Sequence, residues 1–408
     1  GDPARPAVAT FDTEYRDVDL TAVSDFYQTK GLRLAGRASG HNVLSYPLGR
    51  FRDVEGRGHV TAVPPQGEAL ATRELAPDET GRAAERAAVE GPFSNHTPRD
   101  PVGIGGTVTY TFGPEWIDLA PSQVATTSSF VSFQGRTAWG ERSDLPFHVT
   151  SRDWLESDRL LAGLLTLFGS PTQAIELGGF GTFDGVMAGN IKAPRIEGDF
   201  TGESMRAWRV EWGRARGHAV IENSYADVVR VSVGSDDSHI DAEGRFSLGY
   251  PRKDRGEQIN ARIRAVNAPL DKLRAAFALY DYPLDGAMSG EFHVFGEYEH
   301  PFGFGSMAVE KGIAYDEPFE RATAALRFEG AGVRLDGLEI TKSTGRGVGA
   351  AFVGFDGTYS FNLNGQRLPL TGISLLRSDA LPPLSGMLDF TAAGSGTFDF
   401  PTYDVRGS

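Results

Sequence analysis

Residues with catalytic or metal-binding chemistry occur in this 408-residue chain, but their spacing does not group them. The closest group is Asp236, Asp237 and His239, whose oxygen and imidazole atoms could bind a divalent cation. The neighbouring serine and glycine residues favour a solvated turn instead. The eight histidines show no HExxH spacing, and no GxSxG nucleophile elbow occurs. We therefore predict no enzyme, no catalytic residue, no cofactor and no metal site.

Two other features limit the chemistry further. Gly345, Gly347 and Gly349 form a GxGxG motif, but no fully buried strand precedes it and no dinucleotide-type helix follows, so we interpret it as a turn and bulge. The absence of cysteine excludes disulfides and thiolate metal sites. A formal net charge of -14 argues against nucleic acid or an anionic membrane surface as the main partner. The longest apolar run, residues 160–168, is too short to span a bilayer.

A repeated spacing indicates how the chain is organised. Leu-x-Gly is followed, after nine intervening residues, by Gly-x-apolar-x-x-Pro. This spacing occurs three times at a period of about 100 residues, which is typical of repeat architectures. The three copies are Leu177, Gly179, Gly189, Ile191 and Pro194; Leu284, Gly286, Gly296, Tyr298 and Pro301; and Leu384, Gly386, Gly396, Phe398 and Pro401. Residues 16–40 form a fourth, divergent copy. We interpret the repeated glycines and prolines as turns and bends, with the prolines at edges or bulges.

Period-two alternation dominates the rest of the chain and predicts antiparallel strands. Val108, Tyr110 and Phe112 alternate with polar residues, as do Tyr359, Phe361 and Leu363. In a closed sandwich such side chains would be core, whereas in a single curved sheet they would line an apolar trough. Alternation by itself leaves both arrangements open.

Short helices are predicted in residues 16–27, 151–168, 266–277 and 367–376. In the first, Leu20, Val23 and Tyr27 share one face, with Asp19 as the N-cap. In the third, Pro269 suits the first helical position. Residues 64–103 are rich in proline, alanine, glutamate and arginine, which predicts an inserted loop or linker.

The chain resembles the AsmA-like superfamily in four features. These are the period of about 100 residues, a short helix before each run of strands, the Gly-x-apolar-x-x-Pro turns, and segments such as 107–135 and 332–361. Within it, the chain is most similar to the TamB family of inner-membrane subunits of the translocation and assembly module. The resemblance covers residues 100–408 and, more faintly, 10–60. It implies a mainly β fold: an elongated, curved antiparallel sheet forming a repeating β-groove, with a few short amphipathic helices.

The resemblance also implies a domain organisation and a location. Six segments are expected: a degenerate β unit with a short helix (1–63), a polar loop or linker (64–103), a β unit ending in a helix (104–176), two β-groove repeats (177–283 and 284–383), and a truncated further repeat (384–408). The chain is expected to be a fragment of a longer protein of the periplasm of a diderm bacterium, anchored in the inner membrane through a segment that this sequence lacks.

The function implied is the transport of phospholipid between the inner and outer membranes, with a phospholipid or other acyl-chain ligand as partner. The candidate groove residues are Tyr110, Phe112, Val231, Phe246, Leu248, Ile263, Phe292, Phe328, Tyr359 and Phe361. A first alternative is a scaffold that helps an outer-membrane β-barrel partner assemble secreted or barrel proteins through sheet edges. A second is a structural β-repeat protein without a transport role.

Overall fold

The computed structural model describes residues 7–27, 32–82, 100–140, 143–167, 174, 177–207, 210–248, 256–276, 282–374, 385–397 and 399–408. Strands dominate these residues. They form one 22-stranded antiparallel sheet that is curved and is not closed into a barrel, together with a separate two-stranded sheet. The mainly β, curved antiparallel fold with few short helices is therefore confirmed.

The strands are β1 Val8–Asp19, β2 Leu34–Ala35, β3 Arg37–Pro47, β4 Glu55–Val63, β5 Val102–Gly103, β6 Gly105–Gly113, β7 Trp116–Ala125, β8 Ser129–Ala138, β9 Ser143–Ser151, β10 Gly178–Asn190, β11 Ala193–Ala207, β12 Val210–Glu222, β13 Tyr225–Gly234, β14 His239–Ser247, β15 Ile259–Pro269, β16 Leu284–Gly296, β17 Pro301–Ala314, β18 Glu317–Pro318, β19 Arg321–Glu329, β20 Gly332–Lys342, β21 Gly345–Gly354, β22 Thr358–Pro369, β23 Met387–Thr397 and β24 Pro401–Gly407. The helices are α1 Leu20–Phe26, α2 Trp154–Leu167 and α3 Leu270–Ala276, with 3-10 turns at Phe51–Asp53 and Leu370–Gly372.

The chain divides into two compact units. Unit 1 comprises Gly1–Ala207, Glu211–Asp227 and Leu248–Lys253, and unit 2 comprises Trp208–Val210, Val228–Ser247 and Asp254–Ser408. In unit 1, β1 pairs with β3, and β3, β4, β6, β7, β8, β9, β10 and β11 then pair in that order. In unit 2, β14 to β24 pair in chain order, with the short β18 beside the end of β17.

The repeated spacing lies at three hairpins. Its second glycine and its proline face each other at the turn, in the pairs Gly189–Pro194, Gly296–Pro301 and Gly396–Pro401. These glycines have φ of +78°, +102° and +128°, which residues with a Cβ rarely adopt. Each proline lies at or near the start of its strand, where a missing N–H is tolerated. Leu384 and Phe398 lie outside the described residues.

A second repeated element precedes α1, α3 and the 3-10 turn at Leu370–Gly372. Three residues before Leu20, Leu270 and Leu370, the backbone enters the left-handed region at Asp17, Asn267 and Arg367, with φ of 51°, 47° and 55°. In each case the N–H of that residue donates to an oxygen of a side chain 22 residues later: Ser39, Ser289 and Asp389, at 3.1, 3.0 and 2.7 Å. The divergent copy in residues 16–40 therefore shares a bulge geometry with two later units.

The predicted helix starts agree with the structure in one case and differ in another. Asp19 caps α1, since its Oδ1 accepts hydrogen bonds from the N–H groups of Thr21 at 2.9 Å and Ala22 at 3.5 Å. Pro269 is the last residue of β15 rather than the first residue of a helix. The strand continues because Ala268 and Pro269 still pair with β16 after the bulge. Gly345, Gly347 and Gly349 lie within β21, which begins directly after the turn at 343–344, and Gly349 pairs with Leu338 beside the bulge of β20.

Candidate functional site

Six of the seven candidate residues of unit 2 lie on one face of its sheet because antiparallel registry aligns them. Nine residues from nine strands lie opposite one another in a single line, which we call the apolar row: Ile263, Phe292, Gly305, Leu326, Leu335, Ala351, Phe361, Gly394 and Tyr403. At the usual spacing between neighbouring strands, the row is about 38 Å long. Two of the predicted residues, Ile263 and Phe292, are directly opposite each other.

Four candidates pack into one continuous cluster. Phe246, Ile263, Phe292 and Phe328 pack against the buried residues Ile259, Ala261 and Val294. Phe292 and Phe328 also belong to a second cluster, around Ala324, Leu326 and Leu338. Because the clusters share these two rings, the apolar face of unit 2 is continuous from β14 to at least β22, where Leu363 joins it.

Glycines beside the aromatic rings explain how this face stays smooth. Gly305 is opposite Phe292, and a Cβ built on Gly305 would lie 2.8 Å from Cδ1 of that ring. Gly394 is opposite Phe361, and its Cβ would lie 2.5 Å from Cε1 of that ring. Each ring therefore lies over the neighbouring backbone, in space that a larger residue would fill. The glycine excess of the chain thus serves ring packing between strands as well as turns.

Tyr359 and Phe361 form an aromatic group at the β22–β24 side of unit 2. Their rings stack with centroids 6.3 Å apart, and Tyr403 lies 6.3 Å from both. Burial raises the pKa of Tyr359 to about 12, helped by a hydrogen bond with Tyr403. A phenol is neutral at physiological pH even at its ordinary pKa of about 10, so Tyr359 adds no charge to the apolar surface.

In unit 1, Tyr110 and Phe112 occupy an equivalent environment. They are directly opposite Gly58 and Gly56, and a Cβ on these glycines would lie 2.6 and 2.8 Å from the respective rings. The hydroxyl of Tyr110 donates to Asn42 Oδ1 at 2.8 Å. Burial also raises the pKa of Tyr110.

Val231 and Leu248 are not brought into these groups. Val231 lies in β13 and is half-buried, but it is not part of either cluster of unit 2. Leu248 follows β14 and belongs to unit 1, where its N–H donates to the carbonyl of Ser224 at 3.0 Å. Eight of the ten predicted residues therefore lie in the two groups described for units 1 and 2.

The candidate rings remain partly exposed in the described residues, although other segments pack beside them: the buried Tyr282 donates its hydroxyl to the Gly354 carbonyl at 3.1 Å in unit 2, and in unit 1 Ser157 of α2 bonds Ser129 at 2.6 Å and Ser151 at 2.7 Å. All ten candidates are half-buried, and the largest side chains there with less than 2% exposure are Glu79, Thr150 and Ser151. A sealed sandwich would instead bury large apolar rings completely. Half-burial is the level expected of rings that pack sideways on one sheet.

The described part of the predicted linker, residues 64–82, packs on the opposite face of unit 1. Leu70 and Ala71 contact Ala125 and Phe130, and Thr150 Oγ1 donates to the Arg73 carbonyl at 2.5 Å. Phe130 and Thr150 are opposite each other on one face of the sheet. The next residues along these strands, Val131 and Val149, therefore face the other, apolar side. This segment therefore lies on the side of the sheet away from Tyr110 and Phe112.

The polar face of unit 2 carries charged rows and a shallow hollow of about 850 Å³. Arg264, Glu291, Ser306, Ala325 and Asp336 follow one another across the strands and line this hollow. Arg264 and Glu291 approach to 3.8 Å. None of the ten candidates lines the hollow, whose charged rim is unsuited to a hydrocarbon chain.

Two histidines flank two aspartates across four strands on the polar face of unit 1. His148 contacts Asp184 at 2.7 Å, Asp184 is opposite Asp199, and His218 contacts Asp199 at 3.0 Å and Glu197 at 3.3 Å. The hydrogen bond with Asp199, followed by that with Glu197, raises the pKa of His218.

Because the folded state binds the His218 proton more tightly, this stabilisation is complete below the unfolded pKa of about 6.5 and is lost as pH rises through the raised folded pKa. We expect the urea midpoint of the protein to fall between about pH 5.5 and pH 8.5 by more than that of His218→Gln, measured by circular dichroism. Equal pH dependence of the two proteins would contradict this assignment.

Sequence reasoning missed the glycines that the rings cover, the arrangement of Tyr403 with Tyr359, and the bulge-bonding side chains of Ser39, Ser289 and Asp389. A usable signal exists for the last group, namely the constant separation of 22 residues from the bulge. The glycine partners lacked such a signal because registry decides them.

Within the described ranges, no helix is both long and apolar enough to cross a membrane. Those ranges also contain no cluster of three or more histidine or carboxylate side chains suited to a metal ion. His239 contacts Asp241 at 3.6 Å at the start of β14. Comparison of the chain with models of known protein families, with curated proteins and with solved structures gives no match.

Proposed function

We propose that the apolar faces of this sheet bind the acyl chains of lipids and that the protein carries phospholipid between the inner and outer membranes of a diderm bacterium. The observation that carries this proposal is the apolar row of unit 2, which crosses nine strands without a charged residue. Half-burial of its rings leaves contact area for a ligand.

The dimensions of the row suit such a ligand. The hydrocarbon core of a bilayer is about 30 Å thick, so one leaflet accounts for about 15 Å. The row, at about 38 Å, is longer than two such chains laid end to end. A lipid could therefore keep its acyl chains on the sheet while moving along it.

The energetics favour a non-specific apolar surface. Exposing an acyl chain to water costs about 0.8 kcal/mol per methylene, or about 13 kcal/mol for sixteen carbons. Contact with phenylalanine, leucine and alanine side chains offsets this cost without directional bonds, so the ligand is not held at one site. The flat packing of Phe292 over Gly305 and Phe361 over Gly394 avoids ridges that would block sliding.

Photo-crosslinking tests the proposal directly, because neighbouring residues of a strand face opposite sides. A photoreactive residue at Phe361 or Phe292 is expected to capture lipid at least ten times more than one at Ser360 or Glu291, which are exposed on the other face. Mass spectrometry of the captured adduct identifies the lipid. Equal capture on both faces, or none on either, would contradict the proposed groove.

A further inference from the structure

The connection between β3 and β4 in unit 1 exposes two large apolar side chains. Leu48 is 58% exposed and Phe51 is 65% exposed. Residues 48–52, which we call the tip, are held by local backbone bonds: the N–H of Arg50 donates to the Pro47 carbonyl at 2.9 Å, and that of Asp53 to the Arg50 carbonyl at 3.0 Å. The tip is therefore organised before it meets a partner, which reduces the entropy lost on binding.

Two arginines flank the exposed apolar side chains of the tip. Arg50 and Arg52 are both exposed, and neither belongs to an ion pair among the residues that the structure describes. Arginines on the sheet behave differently: Arg136 pairs with Asp118 at 2.6 Å, and Arg195 pairs with Glu197. The charges of the tip are therefore available to an anionic partner, with Asp53 following at its C-terminal side.

An aromatic path joins the tip to the apolar face of unit 1. The Phe51 ring lies edge-on to Tyr46, with centroids 5.0 Å apart, and Tyr46 stacks with Phe11 at 6.0 Å. Phe11 is opposite Leu44, and across the next two strands follow Gly56 and the candidate groove residue Phe112. Apolar contact is thus continuous from an exposed turn to the candidate lipid face.

We propose that the tip docks on the surface of an anionic lipid bilayer, with Leu48 and Phe51 inserted among the lipids and Arg50 and Arg52 on phosphate groups. This inference rests on the proposed function and adds the surface at which lipid enters or leaves the groove. Apolar side chains beside basic ones are the combination that binds lipid interfaces.

The net charge of -14 does not oppose this contact, although it argues against a bilayer that touches the whole protein. At physiological ionic strength, charges act over only about 8 Å, so the nearby arginines decide the local interaction. The acidic remainder of the chain would keep other surfaces away from the same membrane. Contact is therefore confined to the tip.

Co-sedimentation of the full chain with phosphatidylcholine vesicles, with and without phosphatidylglycerol, tests the tip. We expect Leu48→Ser combined with Phe51→Ser to weaken binding to both vesicles at least tenfold. Arg50→Gln combined with Arg52→Gln should remove the preference for phosphatidylglycerol and the dependence of binding on salt. Each arginine that is replaced should lower the affinity for the anionic vesicles about fivefold. Phe355→Ser is the matched control, since Phe355 is also exposed in a hairpin turn but is followed by Asp356; its binding should equal that of the unchanged protein.

Three results would overturn the proposal. The first is that the unchanged protein binds no vesicles, and the second is that Phe355→Ser loses as much vesicle binding as the double serine variant. The third is that the serine changes alter self-association, measured by light scattering, and not vesicle binding. Binding of a fluorescent fatty acid supplied from solution separates this proposal from the groove. The serine variant should retain it, because the row residues are unchanged. Loss of fatty-acid binding in every protein would refute the groove while leaving the vesicle result to decide the tip.

Discussion

Phe361→Glu is expected to reduce the lipid that purifies with the protein at least tenfold. The ring lies in the apolar row between Ala351 and Gly394, where a carboxylate would have to shed water to let a hydrocarbon chain pass. A tenfold loss corresponds to about 1.4 kcal/mol, which is small beside the cost of burying an unpaired charge. Lipid content is measured by mass spectrometry of the purified protein.

Ser360→Glu is the matched control for this change. Ser360 is the neighbouring residue and is exposed on the polar face, so an added carboxylate there meets water and should leave lipid content unchanged. Equal loss in both variants would point to unfolding or to a general charge effect. Unchanged lipid in Phe361→Glu, with the fold intact, would refute a role of the row in binding.

The same variant separates transport from the scaffold alternative. A scaffold that offers strand edges binds its partner through backbone groups, so a charge at Phe361 should leave partner binding intact. Loss of lipid together with retention of a β-barrel partner would show two separable activities. Loss of partner binding in a folded Phe361→Glu protein would exclude the edge-strand version.

Gly305→Ala is expected to destabilise the protein by about 2 kcal/mol, as overpacking does in well-packed sites. A Cβ at this position would lie closest to the backbone carbonyl oxygen of Glu291, then 2.8 Å from Cδ1 and 3.0 Å from Cα of Phe292, and the backbone atoms cannot move without the strand. Phe292 belongs to both apolar clusters of unit 2, so its displacement would disturb both. Urea denaturation followed by circular dichroism, which reports the strands of unit 2 directly, measures the change.

Gly347→Ala provides the comparison for this prediction. Gly347 lies within β21, and the nearest atoms to its Cβ are those of Ile340, at 4.0 Å. Because the space is open, alanine there should be neutral or stabilise by about 0.5 kcal/mol through reduced freedom of the unfolded chain. A similar loss in both variants would show that crowding by Glu291 and Phe292 is not the cause of the loss at Gly305.

How far the sequence predicts the structure depends on the range of the interactions concerned. Alternation identified Tyr110 with Phe112, and Tyr359 with Phe361, as residues of one face, because side chains of a strand alternate whatever its neighbours are. The N-cap of α1 at Asp19 was predictable because capping involves residues within one turn. The start of α3 was not, since pairing with β16 extends β15 through Pro269.

The sequence by itself determined that the chain folds mainly as antiparallel strands, that its repeat spacing carries turn glycines and prolines, and which residues alternate. These properties depend on contacts a few positions apart. Only the tertiary structure decided that Gly305 lies under Phe292 and that the ring of Tyr403 stacks on that of Tyr359. It also decided that residues 64–82 cover the polar face of unit 1. Eight of the ten candidates fall into the two groups, whereas Val231 and Leu248 do not. Those outcomes follow from registry between strands, and a shift of one residue would turn every side chain to the other face.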